Sequence, residues 1–479
     1  MLPKSNKSKH LTIAYISLTF NTVLLILWLS GLMCYPFISI VTLILNSITL
    51  IQLFIRKTYS ISIWLSITWF NCLSLILHDL LGISFLSSGV VFASSRIFEN
   101  VRWATAIASS LSSALALISL HSSETSRYYN SFWLYKFRLH PQNGVFILFL
   151  SMILFYLTQV NRPLLITSSY IGTRNITIPF DVLQLIGTIA TCTFIIGITA
   201  VLEYKEKRGF LPQPILIIYV VLVLSIIISM VLKGERATIL FVSVVILLNW
   251  YHKQTKFSKT IMTLIGCLVI VWLVLLTLKG VRDVEGGVLS LSTWKQAALT
   301  PFTVTPYGKI AVPSSSMYHM VKCVELWDSG IQLHGASYLA LLPQQLPLFM
   351  TKLLWVSRPL SDPERLSLLL PDQPGGIYVI AQAYWNFGML GVIGFILVMV
   401  PLLQYIEHSL ARLNFGGVIT SFAVAASTPK FMLYGIQWGL KNLLVLIILA
   451  LFMRYFLYSK VIFIQRYTTQ RIKVSAVPK

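Results

Sequence analysis

Apolar runs of roughly twenty residues recur along the chain, separated by short polar or basic segments, and this spacing predicts membrane-spanning helices. A bilayer core offers the backbone no hydrogen-bond partner, so each run is expected to be helical. Judged by length and flanking charge, candidate spans fall at 11–33, 35–55, 61–82, 103–120, 144–160, 181–202, 214–232, 237–251, 261–279, 377–404, 414–429 and 441–463. The weakest are 103–120, rich in Ser and Ala, the short 144–160 and 237–251, and 414–429, which Pro429 interrupts. The expected fold is all-α and polytopic, with twelve spans. It divides into spans over 1–278, an outer loop over 279–376, and the last three spans with a basic tail over 377–479.

Composition agrees with this pattern. The 479 residues are 56% hydrophobic and 11% charged, with a mean hydropathy of +0.78, which excludes aqueous enzyme folds, disordered scaffolds and disulfide-stapled secreted domains. A net charge of +22 would suggest nucleic acid in a soluble protein, but most of these basic residues lie between spans, and no nucleic-acid partner is expected. With the N-terminus inside, inner segments hold 20 Lys and Arg and short outer loops hold 8, so both termini are expected in the cytoplasm. The stretch from Leu11 to Met33 is long enough to span and lacks a small-residue cleavage site, so it reads as a first anchor rather than a signal peptide. The cysteines, Cys34, Cys72, Cys192, Cys267 and Cys323, are scattered and fit neither a disulfide framework nor a zinc site.

Nearly a hundred residues between two spans far exceed a connector, so chemistry is expected in the 279–376 loop. Its apolar stretch from Ser337 to Val356 is interrupted by Pro343 and Pro347, which suits a short interfacial or re-entrant piece. A basic tetrapeptide occurs twice at the outer mouth, Lys233-Gly-Glu-Arg236 and Lys279-Gly-Val-Arg282. Lys and Arg three apart share a helical face, and Arg236 opens a span, where free N–H groups already favour an anion. Two such elements facing one cavity would hold a pyrophosphate, although basic residues at span ends also snorkel to the headgroup layer.

Arg358 and Arg365 bracket a stiff segment and could clamp phosphate or sugar hydroxyls; Arg365 could equally pair with Asp362 or Glu364. Asp283-Val-Glu285 and Asp362-Pro-Glu364 each place two carboxylates two apart, a spacing seen in metal-binding glycosyltransferases. Each also has an adjacent Arg that repels a cation, so no metal is expected. For proton transfer the loop offers His319, His334 and Asp372, with His334 favoured because it precedes the small-residue turn Gly335-Ala-Ser-Tyr338. At the return to the membrane, Gly375-Gly376 allow close backbone approach, and Tyr378, Tyr384 and Trp385 offer faces for sugar rings or interfacial anchoring.

These residues resemble the Wzy-type O-antigen polymerases, relatives of the O-antigen ligases. The resemblance rests on "GGIYVIAQAYWNFGMLG" from Gly375 to Gly391, "HGASYLALLPQQLP" from His334 to Pro347, "GER" from Gly234 to Arg236, and a large outer loop before the last spans. It covers the outline from the seventh span onward. It implies an inner-membrane glycosyltransferase that joins undecaprenyl-pyrophosphate-linked repeat units at the periplasmic face, without nucleotide sugar, metal or other cofactor, with membrane lipids and a chain-length regulator as further partners. Arg236, Arg282 and Arg365 would then hold the donor pyrophosphate, with His334 as the other catalytic candidate and Lys233, Lys279, His319, Arg358 and Tyr378 binding substrate. Gln382 departs from the family pattern, which often has an acid there. The alternatives are an O-antigen ligase, or a flippase of lipid-linked oligosaccharide. A flippase is expected to show internal repeats and short outer loops.

Overall fold

A computed structural model describes residues 5–32, 36–56, 58–81, 95–122, 141–159, 212–232, 290–299, 303–304, 310–311, 315–346, 353–354, 359–369, 376–412 and 417–437, with scattered positions in 186–201, 239–277 and 439–448. Among the described residues, six helices precede the loop: α1 (Ser5–Leu29), α2 (Pro36–Arg56), α3 (Tyr59–Leu81), α4 (Ser95–Ser122), α5 (Pro141–Gln159) and α6 (Gln213–Leu232). The loop carries α7 (Leu291–Leu299), a short antiparallel ladder of β1 (Thr303–Val304) and β2 (Ile310–Ala311), α8 (Ser315–Asp328), and the short helices α9 (Ala336–Leu339), α10 (Leu341–Gln345) and α11 (Asp362–Leu369). Then come α12 (Val379–Arg412) and α13 (Gly417–Tyr434).

Among the described residues, four helices are long and apolar enough to cross a membrane: Pro36–Ile55, Tyr59–Leu77, Ser95–Ser119 and Val379–Glu407. Shorter apolar helices cover Tyr15–Leu29, Gly144–Thr158 and Gln213–Ser229. The spans expected at 181–202, 237–251, 261–279 and 441–463 fall mostly or wholly outside the described residues.

The Ser- and Ala-rich α4 is the centre of the bundle, packed by α1, α2, α3, α8 and α12. Its small residues let neighbouring backbones approach, and its hydroxyls replace the missing hydrophobic drive with hydrogen bonds. Ser109 and Ser113 bond to Asn46 of α2, Ser110 donates to Asn21 of α1 at 2.7 Å, and Ser112 accepts from the Trp64 indole of α3 at 3.0 Å. All four serines are fully buried. At the start of α4, Arg102 forms a two-bonded ion pair with Asp79 of α3, at 2.7 and 3.1 Å. At the far end of α12, the buried carboxylate of Glu407 accepts the backbone N–H groups of Tyr59 and Ser60 at 3.0 and 2.9 Å, capping α3.

Two helix breaks differ from the sequence expectation. The run at 377–404 was expected as one span, but α12 is interrupted at Phe387 and Gly388, where φ is −142° and +60°. The run at 414–429 was expected to break at Pro429, yet α13 passes through this proline and ends before Gly435, where φ is +93°. Helical geometry resumes at Ile436. Glycine is required at both breaks: a Cβ on Gly388 would lie 3.0 Å from the Trp327 ring, and one on Gly435 would lie 2.8 Å from Ile377.

The loop packs on the first half of α12. Met317, Met320, Val321, Cys323 and Val324 of α8 are buried against α12 and α4. The following segment is stapled by the Trp385 indole donating to the Ile331 carbonyl at 2.8 Å and by Leu333 N–H donating to the Trp385 carbonyl at 3.1 Å.

Candidate functional site

Of the residues singled out from the sequence, Lys233, Arg236, Lys279, Arg282 and Arg358 lie outside the described residues. His319, His334, Arg365 and Tyr378 lie within them. His319, on α8, is fully enclosed, and its Nδ1 accepts the Tyr378 N–H at 3.2 Å. That bond puts the proton of the neutral ring on Nε2, which has no partner among the described residues, and burial lowers the ring's pKa to about 4. Tyr378 is itself buried at the entry to α12.

His334 is exposed, and its ring lies 6.4 Å from that of Trp327. With φ of 45° and 84°, His334 and Gly335 form a left-handed turn, and a Cβ on Gly335 would come within 2.7 Å of the Phe387 ring. The turn carries the chain into α9, where Tyr338 lies parallel to Phe387 at 6.1 Å.

The loop and the broken helices converge on Asp362, the first residue of α11. Glu364 reaches back over the start of α11, its carboxylate accepting the Ser361 N–H and hydroxyl at 2.6 and 2.7 Å. Glu364 is thereby held at the surface, while Asp362 is turned inward and fully buried. Asp362 interacts with the Gln382 amide, the Ser337 hydroxyl and the Gln437 amide, and these together with the positive charge of Arg365, half-buried on the same helix, favour its ionised form. Burial outweighs these and raises the carboxyl above its ordinary pKa. The nearby Cys323 thiol and Tyr338 phenol are pushed up as well, first by burial and then by the Asp362 charge.

Gln382 joins both helix breaks. Its Nε2 donates to Asp362 and reaches Gln437 Oε1 at 3.3 Å, while its Oε1 accepts the N–H of Ile436 at 3.1 Å, where helical geometry resumes. One turn on, Asn386 Nδ2 donates to Ser337 Oγ at 2.7 Å and to the Gln382 carbonyl at 2.8 Å. From α10, Gln344 donates to the carbonyls of Pro359 and Leu360, and Gln345 to that of Gln437. Within this cluster Asp362 Oδ1, Asn386 Oδ1, Gln344 Oε1, Gln345 Oε1 and Gln437 Nε2 have no hydrogen-bond partner among the described residues. Buried polar groups are ordinarily satisfied, so this concentration marks a place built to meet something else.

The sequence reading named Asp362 and Gln382 without joining them, and it missed Ser337, Gln344, Asn386 and Gln437 as site residues. Two features could have found them. Gln382 and Asn386 stand four apart in an otherwise apolar run, and Gln344-Gln345 interrupt the loop's apolar stretch. Among the described residues, no group of three or more His, Cys, Asp or Glu side chains could hold a metal ion. No family model matches the chain, and neither a curated protein nor a solved structure is found to match it.

Proposed function

We propose that this chain is a twelve-span membrane glycosyltransferase, with both termini cytoplasmic, that polymerises undecaprenyl-pyrophosphate-linked O-antigen repeat units at the periplasmic face of a bacterial inner membrane. The observation that carries the reading is the buried cluster of amides, hydroxyl and carboxylate shared by the outer loop and the two broken helices. Amides and carboxylates are the groups that bind sugar hydroxyls, and Trp327, Tyr384 and His334 offer rings on the loop side of the same region.

The position of the break supports an enzyme over a flippase. From Met389 to Glu407, α12 runs 19 residues, about 28 Å at the helical rise, enough to cross a hydrocarbon core of about 30 Å. The preceding piece, with Gln382 and Asn386, then lies at the outer headgroup level, where a lipid pyrophosphate sits. Transporters place such breaks near the midplane.

In this scheme the cationic elements Lys233–Arg236 and Lys279–Arg282, with Arg358 and Arg365, stabilise the negative charge that develops on the leaving pyrophosphate. The acceptor sugar occupies the chamber roofed by the loop, and no nucleotide sugar takes part. Deleting the gene in its host tests the reading on a gel of surface polysaccharide. Loss of the ladder with a single repeat unit still on the core is the expected outcome; loss of every unit from the core would indicate a ligase or flippase instead. Arg236→Ala and Arg282→Ala, expressed normally, should each reproduce the deletion, and full ladders from both would remove the phosphate clamp.

A further inference from the structure

Four of the five amides in the Asp362 cluster are fixed in orientation by a backbone partner that leaves no choice, and the fifth, Gln437, turns its oxygen to the Gln382 nitrogen. The nitrogens of Asn386, Gln344 and Gln345 each donate to a backbone carbonyl, and the oxygen of Gln382 accepts a backbone N–H. The unmet capacity is therefore lopsided: four acceptor oxygens, on Asp362, Asn386, Gln344 and Gln345, against one donor, on Gln437, which itself acts on the Asp362 carboxylate. The complementary ligand is rich in donors, as a sugar bearing several free hydroxyls is. Among the four oxygens, that of Asp362 alone belongs to a group able to take a proton and keep it.

Resting on the glycosyltransferase reading, we propose that this cluster is the acceptor-sugar subsite and that Asp362 is its general base. The attacking hydroxyl hydrogen-bonds to Asp362 Oδ1. Its oxygen forms a bond to the anomeric carbon of the donor as the bond from that carbon to the diphosphate oxygen breaks. The electron pair leaves with the polyprenyl diphosphate, and the hydroxyl proton passes to Oδ1 and then to water. No oxidant, metal or further reactant enters the balance. A carboxyl pushed above its ordinary pKa by burial is the stronger base once ionised, and the Gln382 amide donates to Oδ2, so that Oδ1 is the oxygen presented to a hydroxyl. Two short helices of four and five residues, α9 and α10, cover it among the described residues, with Leu339 83% exposed on their outer side.

The test uses full-length protein in detergent with the undecaprenyl-diphosphate-linked repeat unit extracted from the deletion strain. Asp362→Asn is expected to lower kcat by about a hundredfold or more while changing KM by less than about threefold. Because the fold disfavours the ionised carboxyl, the neutral amide should melt no lower than the parent at neutral pH. The parent's kcat should fall in acid as Asp362 takes its proton, and the residual rate of the variant should not. Among the described residues, the other titratable groups facing Asp362 are Arg365 on its own helix, Cys323 on α8 and Tyr338 on α9; α10, α12 and residues 436–437 present amides. An unchanged kcat, a change in KM alone, or an acid limb that survives in the variant overturns the assignment of the base. Should Asp362→Asn fold poorly, Asp362→Glu decides: a kcat equal to the parent's overturns the proposal, and a fall of tenfold or more with KM retained supports it. A parent protein that lengthens nothing overturns the glycosyltransferase reading itself.

Discussion

Asp362 and Glu364 stand two residues apart and serve opposite ends because α11 starts at Asp362. Side chains two apart on a helix diverge by about 200°, so when Glu364 turns back to cap Ser361, Asp362 faces inward. The sequence analysis saw in Asp362-Pro-Glu364 only two carboxylates two apart; which of them faces the protein depends on where α11 starts and on the surface beneath it. His319 shows the same limit. Its type invited a role in proton transfer, whereas the structure encloses it and makes it the acceptor for the Tyr378 N–H. Its pKa near 4 has a defined consequence. The unfolded chain takes up this proton near pH 6.5 and the folded one only near 4, so stability is full above about pH 6.5 and falls by about 3 kcal/mol as the pH drops to 4. In His319→Asn the amide oxygen can accept the same N–H without titrating. Thermal unfolding of this variant is expected to lose much less between pH 6.5 and 4 than that of the parent, and parallel losses in the two would contradict the account.

At the scale of elements, hydropathy located the apolar helices but could not see how they are interrupted. A window of average hydropathy scores glycine and proline as composition. The backbone treats them as geometry, and here the geometry reverses the usual ranking: Pro401 and Pro429 are carried inside α12 and α13, while Gly388 and Gly435 break them. Both glycines sit at positive φ against side chains that exclude a Cβ, and neither constraint exists until α8, α12 and α13 are brought together. Gly388→Ala forces a methyl group into the Trp327 ring and a backbone region almost reserved for glycine, at a cost of roughly 1–3 kcal/mol. The expected outcome is a clearly lower melting temperature together with loss of elongation; a variant that keeps both would show that the break does not position Gln382 and Asn386. The weakness of 103–120 as an expected span has the opposite explanation. Its serines lower the hydropathy because α4 contacts helices on every side, where hydroxyls meet Asn21, Asn46 and Trp64 instead of lipid.

At the scale of the whole molecule, the helical class and the presence of several long apolar helices followed from hydropathy alone. The assembly of the candidate site did not, because its members come from α9, α10, α11, α12 and the turn after α13, separated by up to a hundred residues, and each is an ordinary Ser, Asn, Gln or Asp when read singly. The proposed spans, arginine clamp and acceptor subsite meet in one claim, that the protein forms glycosidic bonds between lipid-linked units. The most direct measurement places the purified full-length protein in liposomes with the undecaprenyl-diphosphate-linked repeat unit as the sole source of sugar. The account predicts lipid-linked chains of two, three and more units, with one undecaprenyl diphosphate released for each linkage. Recovery of the unit unlengthened, whether or not it has crossed the bilayer, would contradict it.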